Sequence, residues 1–425
     1  MKVLLIQLFS GKVNRIIYPL GLAYLSTALS GHDVKVLDQG VYDSYPSAET
    51  EKTLSDFQPD AVGISLRNIR THFFKKKGYI TYHENLRQTI EIIKKTNNKA
   101  VIVVGGAGFS MFSVQILRDE PEIDFGVFLE GEQSFPQLLE NINSPEKVKG
   151  IFYRNNGEIV FTGKNIPLNF ELLPETKRDI VNLQDYTEIE AIGVQTKRGC
   201  GLRCIYCSYP FLSGNVIRLR SPKNVVAEIE NLVKTYGVQN FTFVDNIFNV
   251  PLNHAKEICQ EIINRGIKVK WSAWFSEEFM DEEFIDLIIR AGCWGIELSP
   301  DGYNNSSLKW LGKNIKTKHI HQVYHLIRKR PQIKVGYNFT TGVPGENVFN
   351  LARFILFCLK LKIFLRKNLR WINVNGLYIE PNTELEKIAL KQEVISSDTD
   401  LRRLNFYRLG YGRWLLKIRE SKMLG

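Results

Sequence analysis

Long apolar runs are missing from this sequence. No stretch approaches the ~20 uninterrupted apolar residues that a membrane span requires. The closest, FILFCLKLKIFL, is broken by two lysines and reads as a buried helix. Cysteine is scarce: six in 425 residues, too few for a disulfide framework. The opening MKVLLIQLFS lacks the polar cleavage region of a signal peptide, so the expected location is cytoplasmic, with no membrane partner. Low-complexity tracts are absent. No nucleic-acid module accompanies the formal net charge of +11. Its basic runs, Lys75–Lys77, Arg366–Arg370 and Arg402–Arg419, read as solvated surface, with a phosphate-bearing small molecule or a nucleic acid as the other reading. Nucleic acid is not the expected partner.

What is present is a βα rhythm. KVLLIQL, DVKVLD, DAVGISL, AVIVVGG and FGVFLEG read as strands, the first of them apolar throughout, as a parallel strand covered on both faces must be. PLGLAYLSTALSG and YHENLRQTIEIIKKT have helical spacing. Residues 1–145 therefore predict a doubly wound, Rossmann-like α/β domain, which binds ligands at the carboxyl ends of its strands. Those ends carry Ser65, Arg67 and Asn68, then Gly105, Gly106 and Gly108, then Glu130, Gly131 and Glu132. Residues 146–190 read as a linker with a hairpin turning at Asn155–Asn156–Gly157. Over 191–385, AIGVQTKR, NFTFVDN, KVKWSAWF, GIELSPD, KVGYNFTTG and WINVNGLYIEP alternate with helix-like sequence. Six such units predict a partial (β/α)6 barrel of the TIM type, with its site on the loops that follow the strands. Residues 386–425 read as a short helical region.

Three cysteines sit on the first of those loops, in KRGCGLRCIYCSYP: Cys200, Cys204 and Cys207. A structural zinc site wants four ligands, commonly as two pairs, and no second pair exists. Cys259, Cys293 and Cys358 lie in apolar, helix-like contexts where cysteine acts as a small core hydrophobe. A 4Fe–4S cluster normally takes four thiolates. Three would leave one iron open to an outside ligand, which turns an electron carrier into a place where a substrate meets the electron.

CxxxCxxC on the first βα loop resembles the radical S-adenosylmethionine (SAM) superfamily. That resemblance implies a 4Fe–4S cluster on Cys200, Cys204 and Cys207, with SAM chelating the open iron and Tyr206 against its adenine. FVDNIFN stands where the family binds the SAM amino group, which implies Asp245 and Asn246. GIELSPDG stands at the fourth strand and departs from the usual Gly-x-Glu-Ser, implying Glu297 and Ser299 at the ribose. TTGVPGEN supplies Gly342 and Pro344 at the fifth-strand turn. The preceding doubly wound domain resembles the cobalamin-binding subfamily. This implies contacts to cobalamin from Pro19, Leu20, Ser65, Arg67, Gly105, Gly106, Glu130, Gly131 and Glu132, the two glycines letting backbone approach a flat macrocycle. The Asp-x-His-x-x-Gly motif of the axial histidine is absent, since none of His32, His72 and His83 has an Asp two positions before it. The methylthiotransferase branch needs three further cysteines, and none precedes Cys200. The expected activity is cobalamin-dependent methylation of an unactivated carbon in a small molecule, with ring rearrangement, cyclisation or oxidation as the alternative. Flavodoxin or ferredoxin is the expected electron donor. The basic-aromatic stretch RNIRTHFFKKKGYITYH is expected either to contact the cobalamin tail or gate the substrate, or to be a solvated insertion.

Overall fold

The computed structural model describes residues 1–11, 16–70, 82–186, 188 and 190–407. The chain divides into two compact units, Met1–Ile192 and Gly193–Gly425.

The first unit is built on strand β1 (Lys2–Gln7), whose Val3, Leu4, Leu5 and Ile6 are wholly excluded from solvent. There follow α1 (Leu20–Ala28), β2 (Asp33–Asp38), α2 (Ser47–Phe57), β3 (Ala61–Ser65), α3 (His83–Thr96) and β4 (Val101–Gly105). Then come the short α4 (Ala107–Met111) and α5 (Ser113–Asp119), β5 (Phe125–Val127) and α6 (Gly131–Glu140). Helix α2 completes the second βα unit although its buried set, Thr50, Thr53 and Leu54, carries almost no apolar periodicity. The strand order is β2-β1-β3-β4-β5, all parallel, so the winding reverses between β1 and β3. The hairpin β6 (Ile151–Asn155) and β7 (Glu158–Phe161) extends this sheet antiparallel to β5. Phe152 stacks on Phe161 there, with ring centroids 4.5 Å apart. On one face Val3, Leu5, Leu22, Phe135 and Leu138 form a common apolar core.

The second unit holds six parallel strands: β8 (Gly193–Val194), β11 (Asn240–Phe243), β12 (Lys270–Phe275), β13 (Cys293–Asp301), β14 (Lys334–Thr341) and β15 (Leu369–Gly376). They pair in that sequence as the expected open six-unit barrel. Between β8 and β11 lie β9 (Lys197–Arg198), α7 (Tyr209–Ser213), β10 (Arg218–Leu219) and α8 (Pro222–Lys234). The remaining helices are α9 (Leu252–Asn264), α10 (Glu282–Arg290), α11 (Asn305–Trp310), α12 (Thr317–Arg328), α13 (Val348–Phe364) and α14 (Glu384–Lys391). Phe243, Phe248, Trp271 and Phe275 are buried in mutual ring contact and form the aromatic centre of the core.

Three expectations need correction. Cys293 opens strand β13 rather than lying on a helix, although it is buried, as is Cys259 on α9. Cys358 is only half-buried on α13. FILFCLKLKIFL belongs to α13, and that helix is not buried. Its apolar residues exceed what one contact face can cover, so Phe354, Phe357 and Leu361 pack inward while Leu356 and Ile363 remain 61% and 65% exposed. Of the expected carboxyl-terminal helices, α14 ends at Lys391, turns lead on to Tyr407, and the rest lies outside the described residues. Among the described residues, no helix is long and apolar enough to cross a membrane.

Candidate active site

The cysteine loop is clamped at its base. β9 and β10 pair antiparallel, with Arg198 opposite Arg218 and Lys197 opposite Leu219. Within the loop the Cys200 amide donates to the Gly214 carbonyl at 3.1 Å and the Cys207 amide to the Cys204 carbonyl at 3.2 Å. The middle is tied to two distant segments: the Ile205 amide donates to Leu311 at 3.1 Å, and the Ile205 carbonyl accepts from Leu385 at 2.8 Å. Next to Leu311 stands Gly312, at φ 73°, where a Cβ would collide with the Arg203 carbonyl oxygen. Only glycine allows this approach. Backbone therefore positions the loop, and all three thiols are free and partly accessible.

Beneath the loop lies a buried polar joint. The Asp245 carboxylate, in a residue 3% exposed, accepts from the Thr196 amide at 2.8 Å, the Thr196 hydroxyl at 2.6 Å and the Lys197 amide at 3.2 Å. Lys197 Nζ lies 3.5 Å from it and donates to the Phe248 carbonyl at 2.7 Å. Burial pulls the Lys197 pKa down while Asp245 opposes the shift. Asp245 was expected to touch SAM; its oxygens are hydrogen-bonded to the segment that launches the cysteines, as a carboxylate this deep must be paired. Asn246 beside it is half-buried and has no hydrogen-bond partner among the described residues.

Above the loop the structure adds residues that the sequence reading passed over. Tyr206 donates its hydroxyl to Asp301 at 2.5 Å. Lys313 Nζ lies 2.5 Å from the same carboxylate, donates to the Ser299 carbonyl at 2.7 Å and sits 5.7 Å from the Tyr206 ring centroid. Asp301 holds φ 60°, a left-handed conformation tolerated by Asp and typical of strained functional positions. Burial works to lower the Lys313 pKa, but Asp301, Cys204 and Glu277 together hold it above the usual lysine range. Glu277 is 3% exposed and one of its oxygens has no hydrogen-bond partner among the described residues; burial pushes its carboxyl up to about 7. Burial raises the Cys204 thiol, with Lys313 as the main opposing influence, and pushes Cys207 up to about 12. Ser299 thus takes part through its backbone.

Glu297 is separate from this group, with one oxygen 2.8 Å from Arg370 Nη1. Arg370 in turn stacks over Trp371 and Trp294, at 4.0 and 4.6 Å from their ring centroids. Gly342 and Pro344 belong to a turn closed on itself: the Gly342 amide donates to Glu346 at 3.0 Å, and the Pro344 carbonyl accepts from Ser307 at 3.2 Å.

The donor set suits the group it is expected to hold. Three soft thiols on one loop, within electrostatic reach of one another and without a carboxylate or histidine among them, match iron–sulfur rather than hard-cation chemistry. A metal must displace their protons at neutral pH. Among the described residues no three His, Cys, Asp or Glu side chains are already gathered closely enough to close on a metal ion.

The first unit has its own small cleft, with a cavity volume of about 20 Å³. Gln7 and Leu8 line it at the end of β1, Asp38 and Gly40 at the end of β2, and Leu66, Arg67 and Asn68 just after β3, together with the buried Tyr82. This is the point where the winding reverses, the general ligand position in such sheets. Asp38 is buried and accepts from the Tyr186 hydroxyl at 2.6 Å, the Gly40 amide at 2.7 Å and Gln7. Burial raises its pKa against these hydrogen bonds.

Of the residues expected at cobalamin, Arg67 lines this cleft and is exposed. Ser65 ends β3, and its carbonyl accepts from the Leu8 amide at 3.3 Å. Pro19 and Leu20 start α1, where the Pro19 carbonyl accepts from Leu22 at 2.9 Å. Glu130, Gly131 and Glu132 start α6 just after Leu129, a bulky residue at φ 64° whose amide is held by the Ser110 hydroxyl at 2.8 Å. At Gly106, φ 97°, a Cβ would fall 2.7 Å from the Leu66 carbonyl oxygen, and at Gly105 it would lie 3.5 Å from Val127. The basic stretch at Lys75–Lys77 lies outside the described residues.

Residues 6–139 match the B12 binding domain model and residues 194–358 the radical SAM superfamily model. An uncharacterised methyltransferase of Pyrococcus horikoshii is 26% identical over 359 residues, covering 81% of this chain and 74% of that protein. The cytidylyl-2-hydroxyethylphosphonate methyltransferase of Streptomyces wedmorensis is 27% identical, over 77% of this chain and 70% of its own. Among solved structures, the radical SAM methyltransferase TsrM of Kitasatospora setae, with cobalamin and a [4Fe-4S] cluster bound, superposes with a TM-score of 0.79. At 22% identity, over 93% of this chain and 76% of that one, the likeness is one of fold.

Proposed function

Because the chain belongs to the radical SAM superfamily, in the group whose members carry an amino-terminal B12-binding domain, we propose that it is a cobalamin-dependent methyltransferase acting on an unactivated carbon of a small molecule. The observation that carries this reading is the tandem itself, a B12-type sheet followed by a barrel with CxxxCxxC on its first loop. When bound, the cluster supplies an electron to SAM, and cobalamin is the carrier of the methyl group.

The chain's own residues do the positioning. Cys200, Cys204 and Cys207 would hold the cluster, three thiolates leaving it open to SAM. Asp245 fixes Thr196 and Lys197, and with them the start of the cysteine loop. Tyr206 is anchored by Asp301, which fixes the ring that would meet the adenine. Lys313 brings a buried positive charge to the thiolates, offsetting the negative charge they gain on ligation. The unpartnered Asn246 side chain is free to take the SAM amino group. In the first unit, Arg67 faces the cleft at the switch point, where the corrin or its tail would bind. The setting is cytoplasmic, with a flavodoxin or ferredoxin as electron donor.

The test is product analysis of SAM turnover by the anaerobically reduced protein reconstituted with iron, sulfide and cobalamin. Formation of S-adenosylhomocysteine, dependent on cobalamin, is expected. Formation of 5′-deoxyadenosine alone would replace methyl transfer with rearrangement, cyclisation or oxidation.

A further inference from the structure

Helix α13 has two apolar faces, and one of them meets solvent. At about 100° per residue, Phe354, Phe357, Leu361 and Leu365 fall on one side, and all four are buried. On the opposite side lie Val348, Phe349, Ile355, Leu356, Leu359 and Ile363, within an arc of about 120°. Phe349 is 81% exposed, Ile363 65%, Leu356 61%, Val348 58% and Leu359 48%. Scattered exposed apolar residues are ordinary, but a continuous stripe along a 17-residue helix is not.

The charges on the helix have one sign, the nearest acid in the chain being Glu346, which is turned to the Gly342 amide. Arg353 and Lys360 flank the stripe on one side and Lys362 on the other, with Arg366 and Lys367 just past the helix end. Arg328 of α12 stacks over Phe364, 4.9 Å from the ring centroid. From Asn347 to Ile379 the sequence has six basic residues and no acidic one. An apolar stripe bordered by cations is the pattern of a helix that lies flat in a membrane interface. A second copy of the chain fits poorly, because stripe against stripe would bring like charges together. Residues 408–425 are also basic, with three arginines and two lysines against one glutamate.

We propose that the exposed face of α13 docks the protein onto anionic lipid surfaces, its apolar stripe entering the acyl boundary and its flanking Arg and Lys meeting the headgroups. This is surface attachment and requires no spanning segment.

The experiment is co-sedimentation of the full chain with phosphatidylcholine vesicles and with equimolar phosphatidylcholine–phosphatidylglycerol vesicles. Binding to the anionic vesicles should exceed binding to the neutral ones by about tenfold and weaken with salt. The double variant Leu356→Glu, Ile363→Glu should lose binding while keeping its circular dichroism and its SAM turnover. The pair Lys360→Glu, Lys362→Glu leaves the stripe intact and should remove the preference for anionic lipid. No binding to either vesicle would overturn the proposal. So would unchanged binding by the stripe variant, or a concentration-dependent dimer, seen by light scattering, that the stripe variant splits.

Discussion

The cysteine loop is held by main-chain hydrogen bonds and buried charge, whereas the cleft at the ends of β1, β2 and β3 is held by side chains from distant segments. Asp245 satisfies Thr196 and Lys197 in the segment after β8, and Gly312 lets a second loop lie directly on Arg203. In the first unit Asp38 is closed off by Tyr186, 148 positions away, with Gln7 from a third segment. A site that must present three thiols together needs a rigid short loop, and the barrel supplies one. The cleft of the first unit draws its walls from several strand ends instead.

The largest effect expected from breaking this contrast is at Asp245. Asp245→Ala leaves Lys197 buried without its anion and should destabilise the second unit by about 3–5 kcal/mol. All six tryptophans lie beyond Ile192, so urea unfolding followed by tryptophan fluorescence reads that unit selectively. A loss below about 1 kcal/mol would mean that the joint does not carry the loop.

Glu277 sharpens the contrast through pH. Its folded-state pKa, about 7, lies above the ordinary 4.5, so the folded protein keeps a proton that the unfolded chain releases. Its contribution to stability is full below pH 4.5 and is lost as pH rises through 7. Glu277→Gln should match the parent at pH 4.5 and exceed it by about 3 kcal/mol at pH 8, in the same fluorescence assay. A difference independent of pH would place the carboxyl in a solvated setting.

The smallest effect belongs to the cleft. Tyr186→Phe removes one of several hydrogen bonds to Asp38 and should cost about 1–2 kcal/mol. It would appear as faster amide exchange in β2, with tryptophan-reported unfolding unchanged. Unchanged amide exchange in β2 would show that the Tyr186 hydroxyl does not hold Asp38.

The same contrast explains what was legible in the sequence. CxxxCxxC could be read because its chemistry demands neighbouring residues, and the strands because continuous apolar runs such as KVLLIQ have one physical meaning. Asp301 and Lys313 escaped notice because they meet Tyr206 across 95 and 107 positions and match no local pattern. Asp245 stood out for its place after a strand, but sequence could not say that its oxygens would be consumed by Thr196 and Lys197. Composition concealed the state of α13: an apolar helix looks buried until its residues are divided between two faces.

Electron paramagnetic resonance of the anaerobically reconstituted, reduced protein, with and without SAM, bears most directly on the three-thiolate site. The account predicts a 4Fe–4S signal that changes when SAM is added and disappears in Cys204→Ala. A signal indifferent to SAM, a single bound zinc, or an unaltered cluster in Cys204→Ala would contradict it.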